Sequence, residues 1–456
     1  MPTLAASTAA STPISTPTSP AASTAASTTS TAFATTAARP APSPAGAPGA
    51  GTPHPPAPVP AAARPGPTAS GLEGVVVADT QLSDVDGERG RLVVRGHDIE
   101  SLAGHRDFES LCGLLWTGEL PDAAADSGWR AALGRAREQA WERLPHLGDA
   151  LDTDDAMEAL RAALAHLRAG ADGGRERAEP RVSAALKCEL TAAMAVFAAA
   201  WACGRRGETP PRPDARLGHA ADYLRMASGG RAARDDEAGA GTLAGARAAA
   251  LDAYLVTAAD HGMNASTFTA RVVASTQSDA VSAVVAALGA LKGPLHGGAP
   301  GPVLAMLDAI GRPANAAAWI ATRLAAGERI MGMGHRVYRV RDPRAAVLER
   351  AVERLCAAGA RGERLALARA VETVAVASLQ EHRPERRMAA NVEFYTAVVL
   401  DAVGLPQALF AATFAVARVA GWLAHIDEQR AVGRLIRPSS RYVGPAPAPV
   451  ASPALA

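Results

Sequence analysis

Two long uncharged apolar runs do most to limit what this chain can fold into. They are LTAAMAVFAAAWACG at 190–204 and AVGLPQALFAATFAVA at 402–417. Each is longer than an ordinary strand and short of the ~20 residues that cross a bilayer, and the second contains Pro406. Both read as buried core helices, so the body of the chain has a sizeable core and no membrane span is expected. The rest of the composition agrees. Alanine is abundant and aromatic residues make up only 4%, which suggests a mostly helical, strand-poor protein.

The first seventy residues are of another kind. They hold no Asp, Glu or Lys, and their only charged side chains are Arg39 and Arg64. So little large apolar surface cannot offset the entropy of ordering, and the segment reads as a disordered Ala/Ser/Thr/Pro-rich tail. It lacks the basic and apolar regions of a signal peptide, and it lacks the arginines of a transit peptide. The proline-rich PAPAPVASPALA at the other end reads as a second tail.

Order should begin near Gly71. VVVA and RLVV read as two short strands joined through the Asp86-Gly87 turn, and helical signals follow from His97 onward. The stretches GGRERAEP, 204–213 and 229–245 read as polar loops. The last has GxGxxxG spacing without a preceding strand, so it is not a dinucleotide fingerprint. RAAALDAYLVTAADH places Leu251, Tyr254, Leu255 and Ala258 on one helical face. Further helices are expected at 278–291, 302–310, 315–326, 344–357, 361–381, 394–403 and 406–426.

With 456 residues and a formal charge of +1, the chain lacks the clustered basic excess of a nucleic-acid binder. Cys112, Cys188, Cys203 and Cys356 form no CxxC pair and no zinc spacing, which fits a reducing cytoplasm.

The chemistry concentrates in loops. His261 ends a helical run before GMNAST, His296 lies in KGPLHGGAPG, and His335 in MGMGHRVYR. Glycines beside a histidine let backbone approach a ligand, although a lone loop histidine is more often just polar surface. Metal-ligand spacings are absent, so no metal is expected. Arg418 interrupts an apolar helix, and a buried guanidinium must meet an anion, either a structural carboxylate or a ligand. Glu393 sits between Val392 and Phe394, where apolar company raises basicity; the plainer reading is a helix-start glutamate behind an Asn391 cap. On composition alone Arg344 and Arg437 are solvated surface charges, as are Arg336 and Arg341.

These features fall in order within seven motifs: GRLVVRGHDIESLA, DHGMNASTFTARVVAST, LKGPLHGGAPG, GERIMGMGHRVYRVRDPR, NVEFYTAVVLDAVGLP, FAVARVAGWLAHIDEQ and RLIRPSSRYVG. From about Gly71 to Val443 the chain resembles the citrate synthase family, including its 2-methylcitrate synthase branch. The resemblance implies a mostly α, two-domain helical fold with a short N-terminal β-hairpin. The large domain would comprise 71–297 and 400–445, the small domain 298–399, and the tails 1–70 and 446–456.

It also implies roles. His296 would hydrogen-bond the acetyl-CoA thioester oxygen, His335 would polarise the oxaloacetate ketone, and Glu393 would be the base. His261, Asn264, Arg344, Arg418 and Arg437 would bind oxaloacetate, with Arg437 reaching in from the partner of a homodimer. Arg339 would hold CoA phosphates. Acetyl-CoA is then a substrate, and no cofactor is required. The implied reaction is a Claisen-type condensation followed by hydrolysis of citryl-CoA, the citrate-forming step of the tricarboxylic acid cycle, in the cytoplasm.

Two departures stand out. The family commonly has aspartate where this chain has Glu393, which resembles an actinobacterial-type branch, and it usually has DHE where this chain has Asp260-His261-Gly262. The alternatives are a 2-methylcitrate synthase using propionyl-CoA and a non-catalytic relative that binds acyl-CoA.

Overall fold

The computed structural model describes residues 70–72, 74–167, 179–230, 242–298, 300–335, 337–384 and 388–445. The expected N-terminal tail except Ser70, the expected C-terminal tail, most of GGRERAEP and most of the 229–245 loop lie outside these residues. Contacts divide the chain into Met1–Val75 and a body, Val76–Ala456. The described part of the first unit is a short 3₁₀ turn, Ser70–Leu72, with Gly74 and Val75.

The body opens with a three-stranded antiparallel sheet: β1 (Ser83–Asp86), β2 (Arg91–Val94) and β3 (His97–Asp98). RLVV forms β2 as expected, but VVVA is not a strand. Val76 is largely exposed, and Ser83–Asp86 takes the partner position instead, with Ser83 opposite Val94 and Asp86 opposite Arg91. The turn decides this register. Asp86 Oδ1 accepts the main-chain N–H groups of Glu88 and Arg89 at 3.1 and 2.9 Å, an Asx turn that starts the hairpin at Asp86.

Fifteen α-helices follow among the described residues. They are α1 (Ile99–Leu102), α2 (Phe108–Thr117), α3 (Ala123–Glu142), α4 (Ala156–Ala165), α5 (Ala184–Gly204), α6 (His219–Ala227), α7 (Leu243–Ala258) and α8 (Ala265–Ser275). After them come α9 (Ala280–Lys292), α10 (Pro300–Ile310), α11 (Ala316–Ala325), α12 (Pro343–Ala357), α13 (Glu363–His382), α14 (Val392–Ala402) and α15 (Phe410–Val432). Every helix expected from periodicity is present, with ends shifted by a few residues. The start signals are local. Asn264 caps α8, Asp279 caps α9, Asp342 caps α12 and Asn391 caps α14, each side chain accepting a first-turn N–H, and Pro343 occupies the position where a missing N–H costs nothing.

The two apolar runs extend into α5 and α15, of 21 and 23 residues. That is long enough to cross a membrane, but 94% of each apolar window is buried inside the protein, so they are core helices. Helix α15 packs on α5, α7, α8 and α9. The expected stripe on α7 faces inward, with Leu251, Tyr254, Leu255 and Ala258 all buried. Helix α12 lies against α7 and α14. Thus α7 packs on both α15 and α12, and α12 packs on α14, which brings the C-terminal end of α7 and the N-termini of α12 and α14 into one region.

Candidate active site

The segment before α12 carries His335, and its backbone is tied to the segment before α14. Met333 bridges Ala390 in antiparallel fashion. Gly334 N donates to Ala389 O at 2.8 Å, and Asn391 N donates to Gly332 O at 2.9 Å. Asn391 Nδ2 adds a bond to Gly334 O at 2.9 Å. Two glycines make this possible. Gly332 and Gly334 have φ of +74° and +81°, and a Cβ would stand 2.8 Å from Phe394 Cδ2 or from Met388 Cε respectively. The MGMG sequence therefore holds His335 against the helix that carries Glu393.

His335 has a defined tautomer. Its Nδ1 accepts the main-chain N–H groups of Val337 and Tyr338, both at 3.0 Å, so the ring proton sits on Nε2. Burial, and then the Arg344 charge, lower its pKa to about 4. The ring is thus a neutral donor at neutral pH. Tyr338, itself buried, stacks 4.8 Å from it and meets His261 Nε2 through its hydroxyl at 3.1 Å. The His261 and His335 rings lie edge to face, 5.7 Å apart. Burial, with Arg344, Arg418 and the other two histidines, holds His261 well below the usual imidazole range.

His296 follows α9. Its Nε2 faces Ser266, with the main-chain N–H at 3.4 Å and Oγ at 2.8 Å. A main-chain N–H can only donate, so the Nε2 lone pair points there and the proton sits on Nδ1. With Nε2 as acceptor, the single Ser266 hydroxyl proton goes to His296, the Trp422 indole N–H donates to Ser266 Oγ at 3.1 Å, and Asn264 Oδ1 takes the Thr267 N–H at 3.1 Å instead. Burial, then Arg418, brings His296 to about 4.

The cations are buried. Arg344 forms a bidentate pair with Asp342, Nε to Oδ1 at 3.0 Å and Nη2 to Oδ2 at 2.7 Å. Burial opposes its charge, but Asp342 outweighs this and raises its pKa. Composition marks Arg344 as surface charge, yet the structure buries it. Arg418 is 1% exposed. Its Nε donates to Ala258 O at 2.6 Å, its guanidinium lies 4.7 Å from the Phe414 ring centroid, and no carboxylate among the described residues stands within ion-pair distance. Burial lowers it to about 10, so it stays protonated. Of the two readings of Arg418, a site for a ligand anion accounts for the missing partner.

Glu393 occupies the first turn of α14, its N–H taken by Asn391 Oδ1 at 3.0 Å. Burial lifts its carboxyl to about 7 against the pull of Arg344 and Arg418. Glu393 is therefore both a helix-start glutamate behind an asparagine cap and a carboxylate of raised basicity.

The structure thus brings His261, His296, His335, Arg344, Arg418 and Glu393 into one cluster. Asn264 stands beside it with its side chain committed to Thr267 and Gly262. Arg339 lies exposed, 3.9 Å from Glu88, with its N–H bonded to Gly87 O. Arg437 is on an exposed segment after α15, fastened by the bond from Ile436 N to Ser275 Oγ at 3.1 Å, and no hydrogen bond or ion pair joins it to the cluster among the described residues. Arg336 lies outside the described residues.

Sequence reading missed Tyr338, Ser266, Trp422 and Asp342. Only Asp342 had a local signal, an Asp-Pro pair opening a helix. Behind the cluster runs a buried chain of bonds: Asp260 Oδ1 to His425 Nε2 at 3.1 Å, His425 Nδ1 to Arg271 at 3.0 Å, and Arg271 to Glu428 at 2.6 Å. Because arginine only donates, His425 presents its proton to Asp260. Burial pushes the Asp260 carboxyl up, but His425 and Arg418 hold it below the usual range. Chemically, the cluster offers two buried cations, two neutral imidazole donors and a carboxylate of raised basicity.

Comparison with known proteins gives a consistent picture. Residues 71–439 match the family model "Citrate synthase, C-terminal domain". The chain is 39% identical to a "Putative citrate synthase 2" of Mycobacterium tuberculosis over 394 residues, covering 83% of this chain and 93% of the relative. It is 37% identical to the 2-methylcitrate synthase of the same species, covering 82% and 90%. Among solved structures, the ternary complex of citrate synthase from Thermoplasma acidophilum with carboxymethyl coenzyme A and oxaloacetate aligns with a TM-score of 0.67 at 27% identity, covering 84% of this chain and 98% of that one.

Proposed function

We take as premise that this chain belongs to the citrate synthase family of condensing acyltransferases, and propose that it condenses acetyl-CoA with oxaloacetate to give citrate and CoA. The observation that carries this reading is Glu393, a buried carboxyl lifted to about 7 under the charges of Arg344 and Arg418, in the cluster that also holds the neutral His296 and His335.

A thioester methyl group is a very weak acid, so a base alone cannot deprotonate it. The Glu393 carboxylate takes one methyl proton while His296 Nδ1–H donates to the thioester oxygen, where charge develops. The resulting carbon nucleophile adds to the oxaloacetate ketone carbon, and the ketone oxygen gains charge beside His335 Nε2–H. A neutral imidazole serves here because it donates without first being charged in a buried site. Arg344 and Arg418 hold the carboxylates of the dianion. Water then cleaves citryl-CoA to citrate and CoA.

Arg437 would complete the carboxylate clamp from the partner of a homodimer, which is consistent with its exposure on the segment after α15. Arg339, exposed on the same segment as His335, would face CoA phosphates.

The 37% identical 2-methylcitrate synthase supports a second reading, in which propionyl-CoA is the preferred acyl donor. One methylene changes binding by only about 1–3 kcal/mol, so the two readings share every residue above. Thiol release with oxaloacetate, measured as kcat/KM for acetyl-CoA and propionyl-CoA side by side, separates them. A preference for propionyl-CoA overturns the first reading, and no thiol release with either donor overturns both.

A further inference from the structure

Arg341 reads as surface charge in the sequence, but the structure gives it a different place. Its Nε donates to Glu372 Oε1 at 2.8 Å, and its Nη2 donates to Glu372 Oε2 at 3.0 Å and to Glu349 Oε2 at 2.8 Å. The guanidinium also covers the ring of buried Tyr395, 5.1 Å from its centroid. The Tyr395 hydroxyl closes the group by donating to Glu372 Oε2 at 2.7 Å. Arg369 reaches Glu349 Oε1 at 2.6 Å from the other side. Four segments meet here: the His335 segment, α12 through Glu349, α13 through Glu372 and Arg369, and α14 through Tyr395.

What matters is where this group sits along α14. Tyr395 is two residues beyond Glu393. The neighbour of Arg341, Asp342, accepts the N–H of Val392 at 3.3 Å through the same Oδ2 that holds Arg344. Two consecutive residues therefore grip α14 on either side of Glu393, Asp342 at residue 392 and Arg341 at residue 395. A planar, bidentate guanidinium fixes direction as well as distance, which a lysine ammonium does not. Proton abstraction from carbon tolerates little misplacement of the base.

We propose that Arg341 is a positioning residue that, through Glu372 and Tyr395, fixes the Glu393 carboxylate relative to His335 and Arg344. This rests on the reading of Glu393 as the base.

The experiment compares wild type with Arg341→Lys, Arg341→Ala, Tyr395→Phe and the double variant Arg341→Ala/Tyr395→Phe. Measured are kcat, both KM values, thermal unfolding, and the primary deuterium isotope effect on kcat/KM with an α-deuterated acyl-CoA. Arg341→Ala is expected to lower kcat about 10–100-fold, the scale of a misplaced reacting group, with the KM for oxaloacetate within about 3-fold and a larger isotope effect. Arg341→Lys should not restore the rate. Tyr395→Phe, which removes one oxygen and keeps the ring, should act in the same direction, and the double variant should fall short of the product of the singles because both act through Glu372.

An isotope effect equal to wild type, full rescue by lysine, or a rate loss that merely follows the unfolded fraction overturns the proposal. Should Arg341→Ala fail to fold, Tyr395→Phe alone decides it by the same readouts. A wild type that releases no thiol defeats the functional reading, whereas an active wild type with indifferent variants defeats only this inference.

Discussion

The Nδ1 atom of His335 accepts the main-chain N–H of Tyr338 at 3.0 Å. This single bond settles which nitrogen faces the cluster: Nε2 carries the proton and can only donate. The backbone that delivers the N–H belongs to the same segment as Arg344, so the donor and one cation are set by one stretch of chain.

Removing that donor tests its role. His335→Ala should lower kcat by about 10²–10³-fold, the usual loss for one preorganised hydrogen-bond donor. The KM for oxaloacetate should change less, because Arg344 and Arg418 remain. Steady-state thiol release measures both, and a loss under about 10-fold in kcat removes His335 from the chemistry. With a ring pKa of about 4, His335 should not itself gate activity between pH 5 and 8.

Glu393 should set the pH dependence instead. Its carboxyl is lifted to about 7 in the ligand-free protein, so kcat/KM for the acyl donor should rise through that pH and level off above it. Stability runs the other way. A group protonated more readily in the folded state favours folding at low pH. That contribution is fully present below the unfolded carboxyl's pKa, near 4.5, and is lost as pH rises through about 7. Glu393→Gln should therefore unfold at a higher temperature than wild type at pH 8, with the gap closing toward pH 4, while its kcat collapses. Calorimetry across this range checks the sign; a variant less stable at pH 8 refutes the raised pKa.

Some of this was legible from residues and some was not. His261, His296 and His335 stood out because glycine and helix ends flank them, and Arg418 because its helix is otherwise apolar. Helix positions followed from apolar spacing and caps that lie within a few residues. The partners of the site residues could not be read this way. Arg341 finds Glu372 31 residues away, Asp342 meets Val392 across 50, and Trp422 reaches Ser266 across 156. No local pattern encodes such pairings, which is why Arg341 and Arg344 read as surface charge. The misplaced first strand has a similar cause. VVVA has strong strand propensity, but the Asp86 turn fixes the register and selects the less apolar Ser83–Asp86.

Arg418 gives a prediction about ligand and stability together. A buried guanidinium without a carboxylate costs the ligand-free protein stability, and substrate binding recovers it. Oxaloacetate should raise the unfolding temperature of wild type in proportion to the logarithm of its concentration. Arg418→Met, of similar length but uncharged, should lose this shift and raise the KM for oxaloacetate at least ~30-fold, from the 2–5 kcal/mol typical of a removed buried charge partner. An unchanged thermal shift in the variant would place the anion elsewhere.

Gly332 offers the sharpest test of how the cluster is held together. Its φ of +74° costs any other residue roughly 1–2 kcal/mol. A Cβ there would also stand 2.8–3.1 Å from three atoms of Phe394, a fully buried neighbour of Glu393. Phe394 has no room to retreat, so the segment must lift, breaking the bond from Asn391 N to Gly332 O at 2.9 Å. His335, three residues on, moves with it and away from the α14 N-terminus. Gly332→Ala should thus lose about 100-fold in kcat, as expected for a displacement of the order of 1 Å, and unfold several degrees lower. Gly327→Ala is the control. Its φ is +71° but nothing lies within 4 Å of its Cβ position, so it carries the backbone strain without the clash. The two variants should lose comparable stability from strain, yet only Gly332→Ala should lose most of its activity. Equal kcat in both would mean that the contact between Gly332 and Phe394 does not hold His335 in place.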